Sequence, residues 1–297
     1  MFGNGQPDAG AHHQRPVSWA AWGGVFWAGD DAQRDWRLGI GDRAISNPIP
    51  RLTIRQLLVF SHIDEVYQTA AGLFVQAANE AMMRHGRFTI ALSGGGTPQP
   101  LYRLLSQSPF RNQIPWDKTH VFWGDERLVP PDHAESSYGL TARLLLDHVP
   151  IPPTQVHRAL GERDAVTAVG DYTNQLAQLG SPWPRFHLIL LGMGHDGHTA
   201  SLFPGPIQPQ EVTDPVIAVT ANYDGRPAQR ITFTPRLMNQ AHQIVFLVTG
   251  ANKAQALHAV LFGAPDHEQW PAQRIAPQDG RVIWLVDTAA AQLLPGR

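Results

Sequence analysis
The chain contains no cysteine. Disulfides, thiolate nucleophiles and zinc–thiolate centres are excluded with it. No apolar run reaches the roughly 18–20 residues that a membrane span needs. A net charge of −2 over 297 residues gives no electrostatic reason to expect nucleic acid or anionic lipid as a partner. No Lys follows the glycines at 94–96, so the nucleotide-triphosphate loop is missing. No G-x-S-x-G elbow is present either. What remains is an ordinary globular composition and a length sufficient for one large α/β domain.

The first fifty residues differ from the rest. They hold Trp19, Trp22, Trp27 and Trp36, several glycines, His12-His13, and no clear period. Val17 to Gly29 is apolar enough to resemble a signal core, but it is rich in Trp, Gly and Ala, and Asp8 stands in its leader. Residues 1–50 read as a poorly ordered extension or, less simply, as an arm that packs its tryptophans on a partner chain. Residues 51–297 read as a single domain.

From Leu52 the pattern is regular. Strands are expected at 56–60, 87–92, 119–123, 186–191, 216–220, 230–233, 243–249 and 282–287. Helices are expected from a Ser61 cap to His85, from a Thr97 cap with Pro98 at the first position, and over 136–148, 165–179 and 252–262. The first helix should bury Val66, Ala70, Leu73, Ala77 and Ala81. Strands alternating with helices predict a mostly parallel sheet covered by helices.

Three strand ends carry the chemistry. The first is Ser93-Gly94-Gly95-Gly96-Thr97-Pro98. Its small residues let backbone amides turn inward beside a helix N-terminus, which suits a phosphate. A tight turn with no ligand would use the same residues. The second is Gly124-Asp125-Glu126-Arg127. Its Arg can fork onto a phosphate or carboxylate, although a surface salt-bridge cluster reads alike. The third is Gly192-Met193-Gly194-His195-Asp196-Gly197-His198. Its glycines mimic a dinucleotide fingerprint, but Pro204-Gly205 stops the helix that this fingerprint requires. Asp196 and His198 could instead work as an orienting carboxylate and a general base. A metal pair of His195 with His198 lacks a third ligand nearby. Arg230 and Lys253 lie further along as candidate anion-binding cations.

These segments, with Arg230-Ile231-Thr232 and Gly250-Ala251-Asn252-Lys253-Ala254, occur in the order found in the 6-phosphogluconolactonase family. The run Asp196-Gly197-His198-Thr199-Ala200-Ser201-Leu202-Phe203-Pro204 is its most specific match. The chain resembles that family from about Leu52 onward, within a superfamily shared with glucosamine-6-phosphate deaminase and ribose-5-phosphate isomerase. It departs from the family's habit at His187, Ser137 and Gly96. The resemblance implies a Rossmann-like three-layer α/β/α sandwich. It implies hydrolysis of 6-phospho-D-glucono-1,5-lactone, with a deaminase or isomerase, or a non-catalytic sugar-phosphate sensor, as the alternatives. By the same resemblance His198 would be the base with Asp196 beside it. Ser93, Gly94, Gly95, Gly96, Thr97, Asp125, Arg127, Arg230 and Lys253 would hold the substrate. No cofactor, metal or nucleotide is required. A cytoplasmic monomer or small homo-oligomer acting on a small phosphorylated sugar is expected.

Overall fold
Alternation of side chains along the strands decides the layers of this protein. In the computed structural model, which describes residues 25–26, 54–223 and 225–295, successive strand residues enter two separate cores. Ile189, Leu191, Ile244, Phe246, Val282 and Trp284 belong to one core. Leu188, Leu190, Val245, Leu247, Ile283 and Leu285 belong to the other. A strand buried on both faces needs helices on both faces, and this is the signature of a parallel sheet.

The elements follow in this order: β1 (Val25–Phe26), β2 (Ile54–Phe60), α1 (Ile63–His85), β3 (Phe88–Leu92), α2 (Gln99–Leu105), α3 (Phe110–Gln113), β4 (Thr119–Trp123), β5 (Asp125–Arg127), α4 (Ser137–Leu144), α5 (Ala165–Leu179), β6 (Leu188–Gly192), α6 (Gln210–Thr213), β7 (Val216–Thr220), β8 (Gln229–Phe233), α7 (Pro235–Met238), β9 (Gln243–Val248), α8 (Ala254–Phe262) and β10 (Arg281–Asp287). The main sheet runs β1-β2-β10-β9-β6-β3-β4. All its neighbouring pairs are parallel except β1 with β2. Helices α1 and α2 supply one core and α5 and α8 the other, so the expected three-layer α/β/α sandwich is formed. A second, antiparallel sheet β5-β8-β7 was not anticipated.

Some local expectations need correction. The chain before α1 is closed by Glu65, whose carboxylate accepts from the His62 backbone N–H at 3.1 Å, so Ser61 is not the cap. Phe74 takes the buried place on α1, and Leu73 is only partly buried. Thr97 does not cap α2, whose N-cap position is Pro98. The stretch 136–148 is split into α4 and a 3₁₀ turn at Leu146–His148, because Leu145 leaves the helical region. Of the first fifty residues, only Val25–Phe26 are described, and they pair with Leu58 and Val59 at the sheet edge. The expectation for the rest lies outside the described residues.

The connection after β3 runs outward to β4, whereas the next main-sheet strand after β6 is β9 on the opposite side. The C-terminal ends of β3 and β6 therefore flank a topological switch point. Ligands of open α/β sheets bind there.

Candidate active site
Beyond β6 the chain makes a tight loop. The Gly194 N–H donates to the His198 carbonyl at 2.8 Å, and the Gly197 N–H donates to the Gly194 carbonyl at 3.2 Å. The loop brings His198 Nδ1 to 2.7 Å from Asp196 Oδ1. The same oxygen accepts from the His198 backbone N–H at 3.2 Å. A carboxylate only accepts, so Nδ1 carries the proton and Nε2 keeps its lone pair. Burial works to raise the Asp196 carboxyl, but the hydrogen bond and charge of His198 outweigh it and hold the carboxyl below its ordinary value. A Cβ on Gly194 would overlap both Nδ1 of His198 and Oδ1 of Asp196. Glycine at 194 is thus a condition for the dyad, a role more specific than shaping the turn.

The residues after His198 tie the dyad to the second sheet. Ser201 Oγ donates to Asp125 Oδ2 at 2.7 Å, and the Ser201 N–H donates to Thr232 Oγ1 at 3.2 Å. Asp125, expected to touch substrate, is instead buried and spends that oxygen on Ser201. Phe203 packs on the His198 ring with centroids 4.6 Å apart. The Arg230 guanidinium lies 5.2 Å from the Phe203 centroid. Arg230, Phe203 and His198 therefore line one surface. Tyr223 meets His198 edge-on at 4.7 Å, and its hydroxyl lies 3.0 Å from His195 Nδ1. His195 and His198 thus give their Nδ1 atoms to different partners. Sequence reasoning missed Tyr223, which stands in an irregular loop with no motif around it.

The segment Asp125-Glu126-Arg127 divides its charges between scaffold and site. Glu126 is buried, and its carboxylate accepts from the backbone N–H groups of Arg127 at 2.8 Å, Ser137 at 2.7 Å and Tyr138 at 2.8 Å. It also accepts from Ser136 Oγ at 3.1 Å. Burial raises its pKa against these donors. Glu126 is therefore an anchor for the N-terminus of α4. Arg127 sits directly across the antiparallel ladder from Arg230. Arg127 Nη1 donates to the Glu135 carbonyl at 2.6 Å, and Arg230 Nε to the Pro227 carbonyl at 3.1 Å. Arg127 Nε and Arg230 Nη2 are buried and have no partner among the described residues. Burial lowers the Arg230 pKa, Asp125 partly offsets this, and the charges of Arg127 and Arg226 add to it. Arg127 also pairs with the Glu135 carboxylate at 3.8 Å, so two like charges on facing strands, only partly compensated and with donors unspent, suit an anion.

The Ser93–Thr97 loop stands beside α4. A Cβ on Gly94 would overlap Ser137 Oγ, itself buried without a partner. Gly95 takes φ 87°, which glycine adopts freely. Tyr102 fixes the start of the loop. Its hydroxyl accepts from the Ser93 N–H at 3.0 Å and donates to the Ser93 carbonyl at 2.5 Å. Gly96 and Thr97 complete the turn into Pro98. Lys253 closes the 3₁₀ turn Ala251–Lys253 beyond β9 and leads into α8. The expected residues are thus gathered at one edge of the sheet and its attached ladder, with Asp125 turned to a structural partner. The arrangement can hold a phosphorylated anion and present the His198 ring to water.

A family model described as glucosamine-6-phosphate isomerases/6-phosphogluconolactonase matches residues 61–284. The chain is 45% identical over 224 residues to the 6-phosphogluconolactonase of Synechocystis sp., covering 72% of this chain and 88% of that protein. It is 40% identical over 205 residues to the 6-phosphogluconolactonase of Haemophilus influenzae, covering 69% and 87%. The solved 6-phosphogluconolactonase of Trypanosoma brucei superposes with a TM-score of 0.70 at 27% identity, covering 82% of this chain and 98% of that one. A monomeric glucosamine-6-phosphate deaminase shares the fold, with a TM-score of 0.69 at 21% identity over 80% of this chain and 99% of that one. The chain belongs to the glucosamine-6-phosphate isomerase/6-phosphogluconolactonase family.

Proposed function
We propose that the protein hydrolyses 6-phospho-D-glucono-1,5-lactone to 6-phospho-D-gluconate in the oxidative pentose phosphate pathway, with His198 activating the water. The carrying observation is the pairing of a carboxylate-held imidazole with unspent arginine donors along one surface. The names of the relatives favour a lactone over an amino sugar. The Ser93–Thr97 loop, Arg230 and Lys253 bind the phosphate, and Arg127 holds substrate. This fixes the ring with C1 near His198 Nε2, an advantage of proximity that is worth several kcal/mol.

His198 takes a proton from water as the oxygen attacks C1. Charge on the carbonyl oxygen is met by loop amides or Arg127. The C1–ring oxygen bond then breaks, and His198 returns its proton to the leaving oxygen. Asp196 holds the ring and stabilises the imidazolium in between. The scheme calls for no metal, nucleotide or covalent intermediate. Its substrate is a small molecule, and a cytoplasmic monomer or small homo-oligomer belongs to the same proposal. Among the described residues no helix is long and apolar enough to cross a membrane.

The test is a coupled assay on freshly generated lactone, corrected for spontaneous opening, with ammonia measured in parallel against glucosamine 6-phosphate. Phosphogluconate formed faster than the blank supports the reading. Ammonia release, or binding of phosphogluconate without lactone turnover, overturns it.

A further inference from the structure
The strands that carry the candidate active site begin at the opposite edge of the sheet, about 17 Å away along β6 at the usual rise per residue. Three histidines meet there. His85 ends α1, His187 directly precedes β6, and His242 directly precedes β9. One ring nitrogen from each lies within 4.8 Å of the others. His187 Nε2 and His85 Nδ1 are 2.9 Å apart. The His187 and His242 rings stack with centroids 5.5 Å apart. They line a cavity of 610 Å³ with Glu80 and Arg281 on its wall.

We propose that His85, His187 and His242 form a binding site for one borderline transition-metal ion of the zinc, nickel or copper class, separate from the active site. Imidazole nitrogens suit these metals and not magnesium or calcium, which take oxygen. Three histidines with a water in the fourth position are a complete zinc set. Nitrogens bound to one tetrahedral zinc stand about 3.4 Å apart, given metal–nitrogen bonds of about 2.0–2.1 Å. The His85–His187 pair is already inside that distance, and His85 is exposed, so its ring is free to open toward His242. His242 is held through its backbone on both sides, by the Phe186 carbonyl and the Arg281 N–H.

The outer contacts fit as well. His187 Nδ1 lies 2.8 Å from Thr89 Oγ1. That hydroxyl can donate to Nδ1 beside the Thr89 backbone N–H, an outer contact that fixes the ring plane. The Thr89 backbone N–H donates to the same atom at 3.0 Å, so the ion must displace the proton that Nε2 carries in the neutral ring, which tempers the affinity. Of the nearby guanidiniums, Arg185 is paired with Asp279 at 3.4 Å and Arg281 with Glu80 at 3.6 Å. A bound ion would clip the end of α1 to the starts of two sheet strands.

The test is calorimetric titration of the full chain with Zn²⁺ alone, repeated with Mg²⁺, alongside thermal unfolding and the visible spectrum with Co²⁺. One equivalent of Zn²⁺ should bind and raise Tm by about 5 °C at a hundredfold excess over Kd. Mg²⁺ should do neither, and Co²⁺ should give a tetrahedral absorption band. His85→Ala, on an exposed helix end, and His242→Ala should each weaken binding by about 100-fold or more, with lactone turnover unchanged. Absence of Zn²⁺ binding to the unaltered chain overturns the proposal, as does binding that survives both substitutions.

Discussion
Among the described residues arginine is buried in two places, and the two are finished differently. Arg274 gives Nη1 to both Glu211 oxygens at 2.8 and 3.1 Å, Nε to the His267 carbonyl at 2.7 Å and Nη2 to the Gly205 carbonyl at 3.3 Å. Both side chains of that pair are 5% exposed. Arg127 and Arg230 are as deeply placed, yet they face each other across a ladder and leave Nε and Nη2 unspent. A fold that gives every nitrogen of one guanidinium a partner, and leaves two others incomplete near the Asp196–His198 pair, still has donors to offer a ligand. Arg274 serves stability, and under the proposed function the other pair serves binding.

The largest effect expected lies at the imidazole that these arginines would serve. His198→Ala should lower kcat by about 10² to 10⁴-fold, the usual scale of general-base catalysis. Steady-state kinetics with unchanged kcat would remove His198 from the mechanism. Gly194→Ala should cost a comparable factor with every catalytic group present, because its Cβ would overlap the atoms of the dyad. The next effect is on stability. Arg274→Met leaves Glu211 buried without its partner and should destabilise by about 3–5 kcal/mol in denaturant unfolding. KM should remain where it was. A fall in substrate affinity as large as the fall in stability would erase the division between the two arginine sites.

The main sheet was legible because its strands are apolar runs bounded by turn residues, as at Gln243–Val248. The site was legible where loops are short and chemistry-bearing, as at Asp196 and His198. The second sheet was legible only in part: β7 and β8 were expected as strands, but not their pairing with β5 into a sheet of their own. Its strand β5 is Asp125-Glu126-Arg127, three charged residues with no apolar alternation, held in place by long-range partners such as Thr232 and Ser201. The scaffold role of Asp125 was hidden for the same reason, since Ser201 lies far along the chain. The three histidines before β6 and β9 and after α1 become neighbours only through parallel strand order, which no local pattern encodes.

The sharper test of the arginine comparison is the substitution expected to help folding. Arg230→Met keeps much of the buried stem while it removes an unpartnered donor and one of two facing like charges. Its Tm should be unchanged or higher. KM for the lactone should rise by about 10- to 100-fold, the worth of a charge-assisted hydrogen bond to a phosphate. A drop in Tm similar to that of Arg274→Met would mean that Arg230 is scaffold after all.

The smallest effect extends the same contrast to a half-buried base that the fold has satisfied. His157 stacks on Phe122 at 4.4 Å and lies 3.0 Å from His120 Nδ1. Burial, with the His120 charge adding, pushes its pKa down to about 4. Its ordinary value is about 6.5. Between those two values the unfolded chain binds a proton that the folded chain refuses. The neutral ring's contribution is therefore fully present above pH about 6.5 and is lost as pH falls toward about 4. Tm should decline across that window. His157→Phe keeps the stack on Phe122 and cannot take up a proton, so the decline should become shallower in the same buffers. An identical slope would place the acid sensitivity elsewhere and leave His157 as packing alone.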